Sequence, residues 1–410
     1  MFTKIVLALV ALFGGFAIGY WAIPQKSDDA QGGGLGAARA GNWTAIGNMN
    51  TVRRSMGIAA LGHKIYVVGG SDSQSLLSSA EVYDPLTDAW TAIADMSMGR
   101  TGCAAAATST YLFVIGGDTD SGITSTGERY DPATNTWSAI ASMNTKRANL
   151  GVSVGSDGLI YAVGGGDQHY LSTAERYNPS VNTWEDLSNM TMARGGMGMA
   201  TMNGVLYAMG GQTPAQNLAN TVEAFNYSTC HIIGCPGVTW QSVSSMATGR
   251  SFLGGAARAA SAMYAVGGDP VGTAEVYDPA TDAWAALPTM AIARRQLGVV
   301  ALNDRLYAVG GTIFTSTALA TGESLALGAE FRWGWTCPNI PVTYVNLSPT
   351  DDSSMACNVA CEAAGAGCCT YSRTVLSPPR CTWVDGGTVA TAQVGKDTDL
   401  GGSVDVQAPS

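Results

Sequence analysis

Charged residues are scarce in this chain, and basic residues are scarcer than acidic ones. Of its 410 residues 13% are charged, with 21 Lys and Arg against 31 Asp and Glu and a formal net charge of −10. Binding to nucleic-acid phosphates would need the opposite balance, so we predict no nucleic-acid partner. The three histidines leave few imidazoles for a metal centre, and no nucleophile elbow, phosphate loop, zinc helix motif or Asp box occurs. We therefore predict no metal or cofactor.

Long hydrophobic runs are also rare, apart from one near the start. Residues 5–23 are uncharged and mostly apolar, with Lys4 before them and Pro24 after them. Their length lies between the about 7–15 residues of a signal-peptide core and the roughly 20 of a spanning helix. We predict that 1–24 is a signal peptide or signal anchor and that 25–41 is a flexible linker. The chain would then enter the secretory pathway and be secreted or held at the cell surface, touching a membrane only through an uncleaved N-terminal segment.

Glycine, in contrast, is abundant, with 52 residues, and it marks an internal repeat. A Gly-Gly pair follows an apolar strand six times, at intervals of 47, 48, 46, 57 and 43 residues. The pairs are Gly69-Gly70, Gly116-Gly117, Gly164-Gly165, Gly210-Gly211, Gly267-Gly268 and Gly310-Gly311. Downstream of most pairs comes a Glu-X-Tyr-Asp-Pro turn and then a Trp, as in residues 81–85 with Trp90. Gly-Gly permits positive φ where strands crowd together, and Asp-Pro is turn chemistry.

Each repeat is thus predicted to form four strands, a to d, with Gly-Gly after strand b, Glu on c and Trp on d. This layout, with its period near 50, resembles the kelch repeat, whereas the Gly-His and Trp-Asp signals of WD40 repeats are absent. The resemblance covers residues 42–335 and implies an all-β, six-bladed kelch β-propeller. Glu330-Phe331 fits strand c of the last blade. The strand around Trp43 lacks strands a to c of its own, so we predict that it completes this blade and closes the ring.

One face of such a ring collects the b–c loops and the d–a connections. An arginine opens every a strand: Arg54, Arg100, Arg147, Arg194, Arg250 and Arg294. These side chains could surround the channel mouth and bind anions or sugars; the kelch resemblance implies acidic peptides or carbohydrate-like ligands. Alternatively, they could pair with the one glutamate of each repeat: Glu81, Glu128, Glu175, Glu223, Glu275 and Glu330. Regular occurrence favours this structural role, because buried charges need partners.

Residues that differ between repeats are better candidates for ligand binding. The b–c loops contribute Asp72, Asp118, Asp120, Asp167, Gln168, His169, Tyr170, Gln212, Asp269 and Phe314. The most varied patch is Asp167-Gln168-His169-Tyr170. Residues 118–122 resemble the start of a calcium loop, but Arg129 stands where the glutamate ligand is expected.

We therefore predict an extracellular or lumenal binding scaffold, not an enzyme, that binds a glycan or protein partner through this face. A first alternative is a structural component of a cell-surface or matrix assembly. A second is a sugar-modifying enzyme of the mutarotase type, which would need a Glu and an Arg at the channel mouth. The copper chemistry of other kelch propellers is disfavoured, because His63, His169 and His231 fall in different blades. The oligomeric state is left open.

The nine cysteines agree with an oxidising compartment. Cys230 and Cys235 bracket a short insert and are predicted to form a local disulfide, while Cys103 is predicted to be a buried thiol. The other six crowd into 45 residues as a predicted disulfide framework: Cys337, Cys357, Cys361, Cys368, Cys369 and Cys381. The segment 336–386 resembles a PAN/apple-type module, although a knot without a ligand or a zinc site would also fit. We expect 387–410 to be a disordered tail.

Asn-X-Ser/Thr sequons supply four candidate glycosylation sites: Asn42, Asn189, Asn226 and Asn346. They are compatible with the secretory pathway but are weak evidence, because such tripeptides are common by chance.

Overall fold

The computed structural model describes residues 41–167, 169–230, 235–258, 261–313, 317–327, 380–385 and 388–393. Two compact units make up the chain; the first ends at Ala329 and the second begins at Glu330, slightly before the predicted boundary at 335/336. The predicted targeting segment and nearly all of the predicted linker lie outside the described residues. Within the described ranges, no helix is long and apolar enough to span a membrane.

The first half of the propeller begins with a lone strand, β1 (Thr44–Ile46). Blade 1 contains β2 (Gly57–Leu61), β3 (Lys64–Val68), β4 (Ala80–Asp84) and β5 (Ala89–Ile93). Blade 2 contains β6 (Ala104–Ala107), β7 (Leu112–Ile115), the small hairpin β8 (Asp118–Thr119) and β9 (Gly122–Ile123), then β10 (Gly127–Asp131) and β11 (Thr136–Ile140). Blade 3 contains β12 (Gly151–Val154), β13 (Ile160–Val163), β14 (Ala174–Asn178) and β15 (Thr183–Leu187).

The second half continues in the same order. Blade 4 contains β16 (Gly198–Met202), β17 (Val205–Met209) and β18 (Val222–Asn226), then a 3-10 turn (Tyr227–Thr229) and β19 (Gln241–Val243). Blade 5 contains β20 (Gly254–Arg258), β21 (Ala262–Val266), β22 (Ala274–Asp278) and β23 (Ala283–Leu287). Blade 6 contains β24 (Gly298–Leu302), β25 (Arg305–Val309) and β26 (Gly322–Ala326).

Each blade is an antiparallel four-stranded sheet in the order a-b-c-d, and the prediction of a six-bladed all-β propeller is confirmed. The fourth strand of blade 6 is β1, which pairs with β26 so that Ala45 lies opposite Glu323. The predicted closure by the strand around Trp43 is therefore also confirmed. With β1 in place, blade 6 has the same four strands as the other blades, and β26 is not left as an exposed edge.

Strand c of blade 6 was predicted in the wrong place. It runs over Gly322–Ala326 and carries Glu323, whereas Glu330-Phe331 lies beyond the described part of the blade. The local signal is a Ser or Thr two positions before the glutamate, which Thr321 supplies here as Thr126 does for Glu128 in blade 2. The prediction was wrong because it gave the insert after Gly310-Gly311 too much length.

The Gly-Gly pairs allow each blade to approach the next one closely. Gly69 and Gly70 have φ values of 63° and 91°, and the Gly70 amide donates to the Arg100 carbonyl of blade 2 at 2.8 Å. A Cβ atom at Gly69 would lie 2.7 Å from that same oxygen, which no side chain could tolerate. Both the conformation and the space therefore require glycine here.

The tryptophan of each d strand ties its blade to the preceding one. In blade 2, the Trp137 indole N–H donates to the Ala94 carbonyl at 2.8 Å, and its ring packs on Tyr130 with centroids 5.1 Å apart. Trp43, which directly precedes β1, donates in the same way to the Pro288 carbonyl of blade 5, at 2.7 Å. These aromatic rings pack between blades while their indole N–H groups stay paired.

A tyrosine on strand c also bonds to an Asp or Asn in the following turn. In blades 1 and 5 the acceptors are carboxylates, Asp88 and Asp282, whereas blades 2 and 3 use Asn135 and Asn182. Each Oδ1 atom also accepts a backbone N–H from the preceding d–a connection. The hydrogen bond from Tyr83 lowers the pKa of Asp88 below 3.8, and the Ser244 amide with Tyr277 does so for Asp282.

The acid stability of the propeller should depend on these two carboxylates. Since folding lowers both pKa values, their stabilisation is present above about pH 4 and is lost as the pH falls through the folded-state pKa. In the variant D88N/D282N, which copies blades 2 and 3, the free energy of unfolding should depend less steeply on pH below that point. Urea denaturation between about pH 2 and 5 measures this, and an unchanged slope would contradict the assignment.

The second unit contains one described hairpin, β27 (Arg380–Asp385) and β28 (Thr388–Gln393). Strand β28 lies inside the segment predicted to be a disordered tail, so that prediction is corrected for 388–393. The reason is local, because Thr, Val and Ala alternate there after a Gly-Gly pair, a combination that favours a hairpin. Cys381 lies in β27, and the other cysteines of the predicted framework lie outside the described residues.

Candidate functional site at the channel mouth

The repeated arginines do not line the channel mouth. Each is at most 1% exposed, and in the first blade the buried residue is Arg53 rather than the predicted Arg54. Each guanidinium forms an ion pair with the strand c glutamate of its own blade, at N–O distances between 2.6 and 3.2 Å. The pairs are Arg53–Glu81, Arg100–Glu128, Arg147–Glu175, Arg194–Glu223, Arg250–Glu275 and Arg294–Glu323. Of the six arginines predicted on a ligand-binding face, five are buried in these pairs, and Arg54 lines the mouth.

Blade 3 shows what this ion pair does. Arg147 donates through Nη1 to the Gly164 and Thr173 carbonyls, each at 2.9 Å, and through Nη2 to Glu175 at 2.6 Å. Glu175 in turn accepts the backbone N–H groups of Asn144 and Thr145, at 2.6 and 3.1 Å, from the incoming d–a connection. The pair thus joins strands a, b and c to the preceding blade. We call this arrangement the Arg–Glu brace.

A sequence signal could have separated Arg53 from Arg54. A buried methionine stands four residues before each brace arginine: Met49, Met96, Met143, Met190, Met246 and Met290. Its terminal methyl group lies against the first glycine of a Gly-Gly pair, as Met96 does at Gly69. The spacing selects Arg53, and it leaves Arg54 for the surface.

The residue after each brace arginine forms the wall of the mouth. It pairs in a short antiparallel bridge with the residue that follows Gly-Gly. The six wall pairs are Arg54 with Ser71, Thr101 with Asp118, Ala148 with Gly166, Gly195 with Gln212, Ser251 with Asp269, and Arg295 with Thr312. Identical backbone geometry therefore presents a different pair of side chains in every blade.

The next residue of each blade forms a closed ring of hydrogen bonds, which we call the axial ring. Its members are Ser55, Gly102, Asn149, Gly196, Phe252 and Gln296. Each amide donates to the carbonyl of the ring member in the preceding blade, at 2.6 to 2.9 Å, and Ser55 donates to Gln296 to complete the circle. All six residues have φ between 50° and 61°. Sequence reasoning missed this ring, because phenylalanine and glutamine give no signal for that conformation.

Wall, ring and b–c loops together enclose a funnel of about 930 Å³. Its charged lining residues are Arg54, Asp118 and Asp167, and the nearby Arg295 and Asp269 are paired with each other at 2.6 Å. Of the predicted loop patch, Asp167, His169 and Tyr170 line the funnel, while Gln168 lies outside the described residues. The mouth that six free arginines would have made strongly basic is in fact close to neutral.

The lining residues that blades 3 and 4 contribute are mostly small. They include Ala148, Gly166, Gly195 and Gly196. A Cβ atom at Gly195 would lie 3.2 Å from the Tyr170 ring, and one at Gly196 would lie 3.0 Å from the Phe252 ring. The Tyr170 hydroxyl also bonds to Gln212 at 3.0 Å. The Tyr170 and Phe252 rings therefore occupy the space that side chains at Gly195 and Gly196 would need.

Other predicted residues lie away from the funnel or serve its loops. Asp72 caps its own loop by accepting hydrogen bonds from the Gln74 and Ser75 amides, and these bonds lower its pKa. Cys230 and Cys235 form a disulfide in the c–d connection of blade 4, and Cys103 is a buried free thiol. Three of the sequon asparagines, Asn42, Asn189 and Asn226, are exposed.

The geometry offers no support for the mutarotase alternative. That chemistry would need a glutamate beside an arginine at the mouth. Among the described residues that line the funnel there is an arginine, Arg54, but no glutamate. The strand c glutamates are instead held in the braces, at most 5% exposed.

This fold and site define a class: a six-bladed β-propeller with a funnel at one end of its channel. The kelch motif matches four segments of the chain, residues 53–97, 99–144, 149–191 and 193–231. Four of the six blades thus carry kelch motifs, as the resemblance implied.

Individual relatives share only part of their length with this chain. Kelch-like protein 8 of Caenorhabditis elegans is 41% identical over 110 residues, which are 27% of this chain and 15% of the relative. Human Kelch-like protein 5 is 57% identical over 37 residues, 9% of this chain and 5% of the relative. The solved structure of YjhT superposes with a TM-score of 0.58 at 14% identity, covering 69% of this chain and 97% of that one. This last similarity shows the fold alone.

Proposed function

We propose that this protein is a binding scaffold that captures a loop of a partner protein in the funnel. One observation carries the proposal: the residues that recur in every blade are buried in braces, whereas those that line the funnel differ from blade to blade. A surface needed only for architecture would repeat with the fold, as the braces do. Kelch propellers typically bind protein partners, which supports a protein over a glycan.

The two unpaired charges of opposite sign on the wall supply contacts for such a loop. Among the described residues, Arg54 and Asp118 have no side-chain ion pair, and they stand in neighbouring blades. Arg54 can hold a carboxylate or a carbonyl oxygen of the partner, while Asp118 can accept from an amide or an ammonium group. Tyr170, which is 36% exposed, offers an aromatic anchor at the rim.

Peptide and glycan arrays with the purified full chain test this proposal. We expect peptide binding that Y170A weakens roughly tenfold or more, because exposed aromatic anchors contribute strongly to interfaces. The control is L86S, which changes a more exposed apolar side chain, 71% exposed, in a c–d turn of the opposite face. Equal losses in both variants, or binding to glycans alone, would contradict capture of a protein in the funnel.

We further propose that binding takes place in the secretory pathway or at the cell surface. The targeting pattern in 1–24 and the disulfide between Cys230 and Cys235 support this location. Mass spectrometry of the protein purified from its source should find either a cleaved N-terminus or a membrane-associated intact chain, with that disulfide oxidised. An intact, reduced chain in the cytosolic fraction would overturn it.

A further inference from the structure

The axial ring places four large or polar residues in a backbone conformation that suits glycine. Ser55, Asn149, Phe252 and Gln296 have φ values of 50°, 52°, 53° and 54°. Side chains other than glycine are strained there because Cβ approaches the following carbonyl oxygen, and a bulky residue such as phenylalanine is a clear outlier. Blades 2 and 4 show that glycine fits the same position, since Gly102 and Gly196 make the same ring hydrogen bonds.

The two ring glycines also make room for their neighbours. A Cβ atom at Gly102 would lie 2.9 Å from the Asn149 Oδ1 atom, and one at Gly196 would lie 3.0 Å from the Phe252 ring. The ring therefore accommodates its larger side chains at the cost of strain, although the fold needs only the backbone at this position. Backbone strain that is kept where glycine would be unstrained is typical of functional sites.

We propose that the side chains of the axial ring form the floor of the funnel and determine which partner binds. They would recognise the uncharged tip of a partner's loop. This inference rests on the proposed function and names the part of the partner that enters deepest. All four side chains line the funnel from its floor, and none of them carries a charge. Asn149 and Gln296 can exchange hydrogen bonds with backbone or amide groups, while Phe252 receives an apolar side chain.

A charged group is a poor fit for this floor. It would lose its water there and find only amide and hydroxyl partners, which do not offset the desolvation of an ion. The charged residues Arg54, Asp118 and Asp167 belong instead to the wall and rim. We therefore expect an uncharged tip, with any acidic or basic residues of the loop placed behind it to meet the wall.

Two glycine variants, F252G and Q296G, test the proposal by separating stability from binding. Both keep the ring backbone and relieve its strain, so the melting temperature should stay equal or rise by about 1–3 °C. Binding of the peptides that the array identifies should fall roughly tenfold or more. Peptides whose tip residue is replaced by Asp or Lys should lose binding to the wild-type protein to a similar degree.

The control is N303G, which relieves the same strain in an a–b turn at the other end of blade 6, where φ is 48°. It should not change peptide binding. If Q296G lowers the melting temperature and both variants bind peptides normally, the ring is only structural and the inference fails. If Y170A abolishes binding while both glycine variants retain it, the scaffold function stands and the floor assignment alone fails. If the protein binds no peptide at all, both the proposed scaffold function and the floor assignment fail.

Discussion

The variant E175Q is expected to lose about 3–5 kcal/mol of its free energy of unfolding, because it leaves a buried guanidinium without a counter-ion. Arg147 and Glu175 are both fully buried, and the carboxylate accepts two backbone N–H groups as well as the arginine. A neutral amide cannot accept from all three donors with the same strength, and its NH₂ group would face the guanidinium. Urea denaturation of the wild type and the variant measures the difference.

A surface ion pair provides the control. Lys64 and Asp84 lie 3.2 Å apart with side chains 48% and 27% exposed, so K64M should change stability by about 0–1 kcal/mol. The double variant R147M/E175M should lose less than the sum of the single variants, because it removes both buried charges. Strict additivity, or an E175Q protein as stable as K64M, would contradict the brace.

Replacing Trp43 with alanine is expected to cost about 3–5 kcal/mol and to loosen the closure of the ring. Trp43 is 8% exposed, packs among the buried side chains of blades 5 and 6, and bonds to the Pro288 carbonyl. It precedes a strand of three residues, whose pairing with β26 is the sole strand-to-strand link between the start and end of the described propeller. Loss of the indole therefore weakens blade 6 at the pairing of β1 with β26, which is held by non-covalent contacts.

The matched control for W43A is W137A, which removes the equivalent indole inside blade 2. Both variants should lose stability, but W43A alone should speed amide hydrogen exchange in β26, since β1 can leave that edge. An exposed edge strand also invites pairing between molecules, so W43A should form more oligomer in size-exclusion chromatography. Equal exchange in β26 for the two variants would show that closure does not depend on Trp43.

Much of the fold was predictable because short sequence motifs define the repeat. Gly-Gly, Asp-Pro and the d-strand tryptophan each act over a few residues, and they recur at matched offsets. The strand beside Trp43 was informative for the same reason. It resembles a d strand without strands a to c, and the last blade is the one that lacks a d strand. Prediction failed in blade 6, where the insert between Gly310-Gly311 and Glu323 hides the offset.

The candidate site was harder to predict, because its residues matter through contacts that cross from blade to blade. The loop patch with Tyr170 was found from its variety, and it does line the funnel. Five of the six predicted arginines are buried instead of exposed at the mouth, and Arg54 alone among the six lines the funnel. Nothing in the order Arg53-Arg54 says which side chain turns inward, although the methionine spacing distinguishes them once the braces are known.

The sequence by itself therefore determined the six-bladed ring and its closure, since turns, strand periods and packing residues are local properties that repeat. The tertiary structure decided which charges are buried, and with that the character of the channel mouth. It did so because an ion pair such as Arg147–Glu175 joins residues that are far apart in the chain. The axial ring has the same origin: its hydrogen bonds exist only between neighbouring blades, and they hold Phe252 and Gln296 in a conformation that their own sequence does not favour.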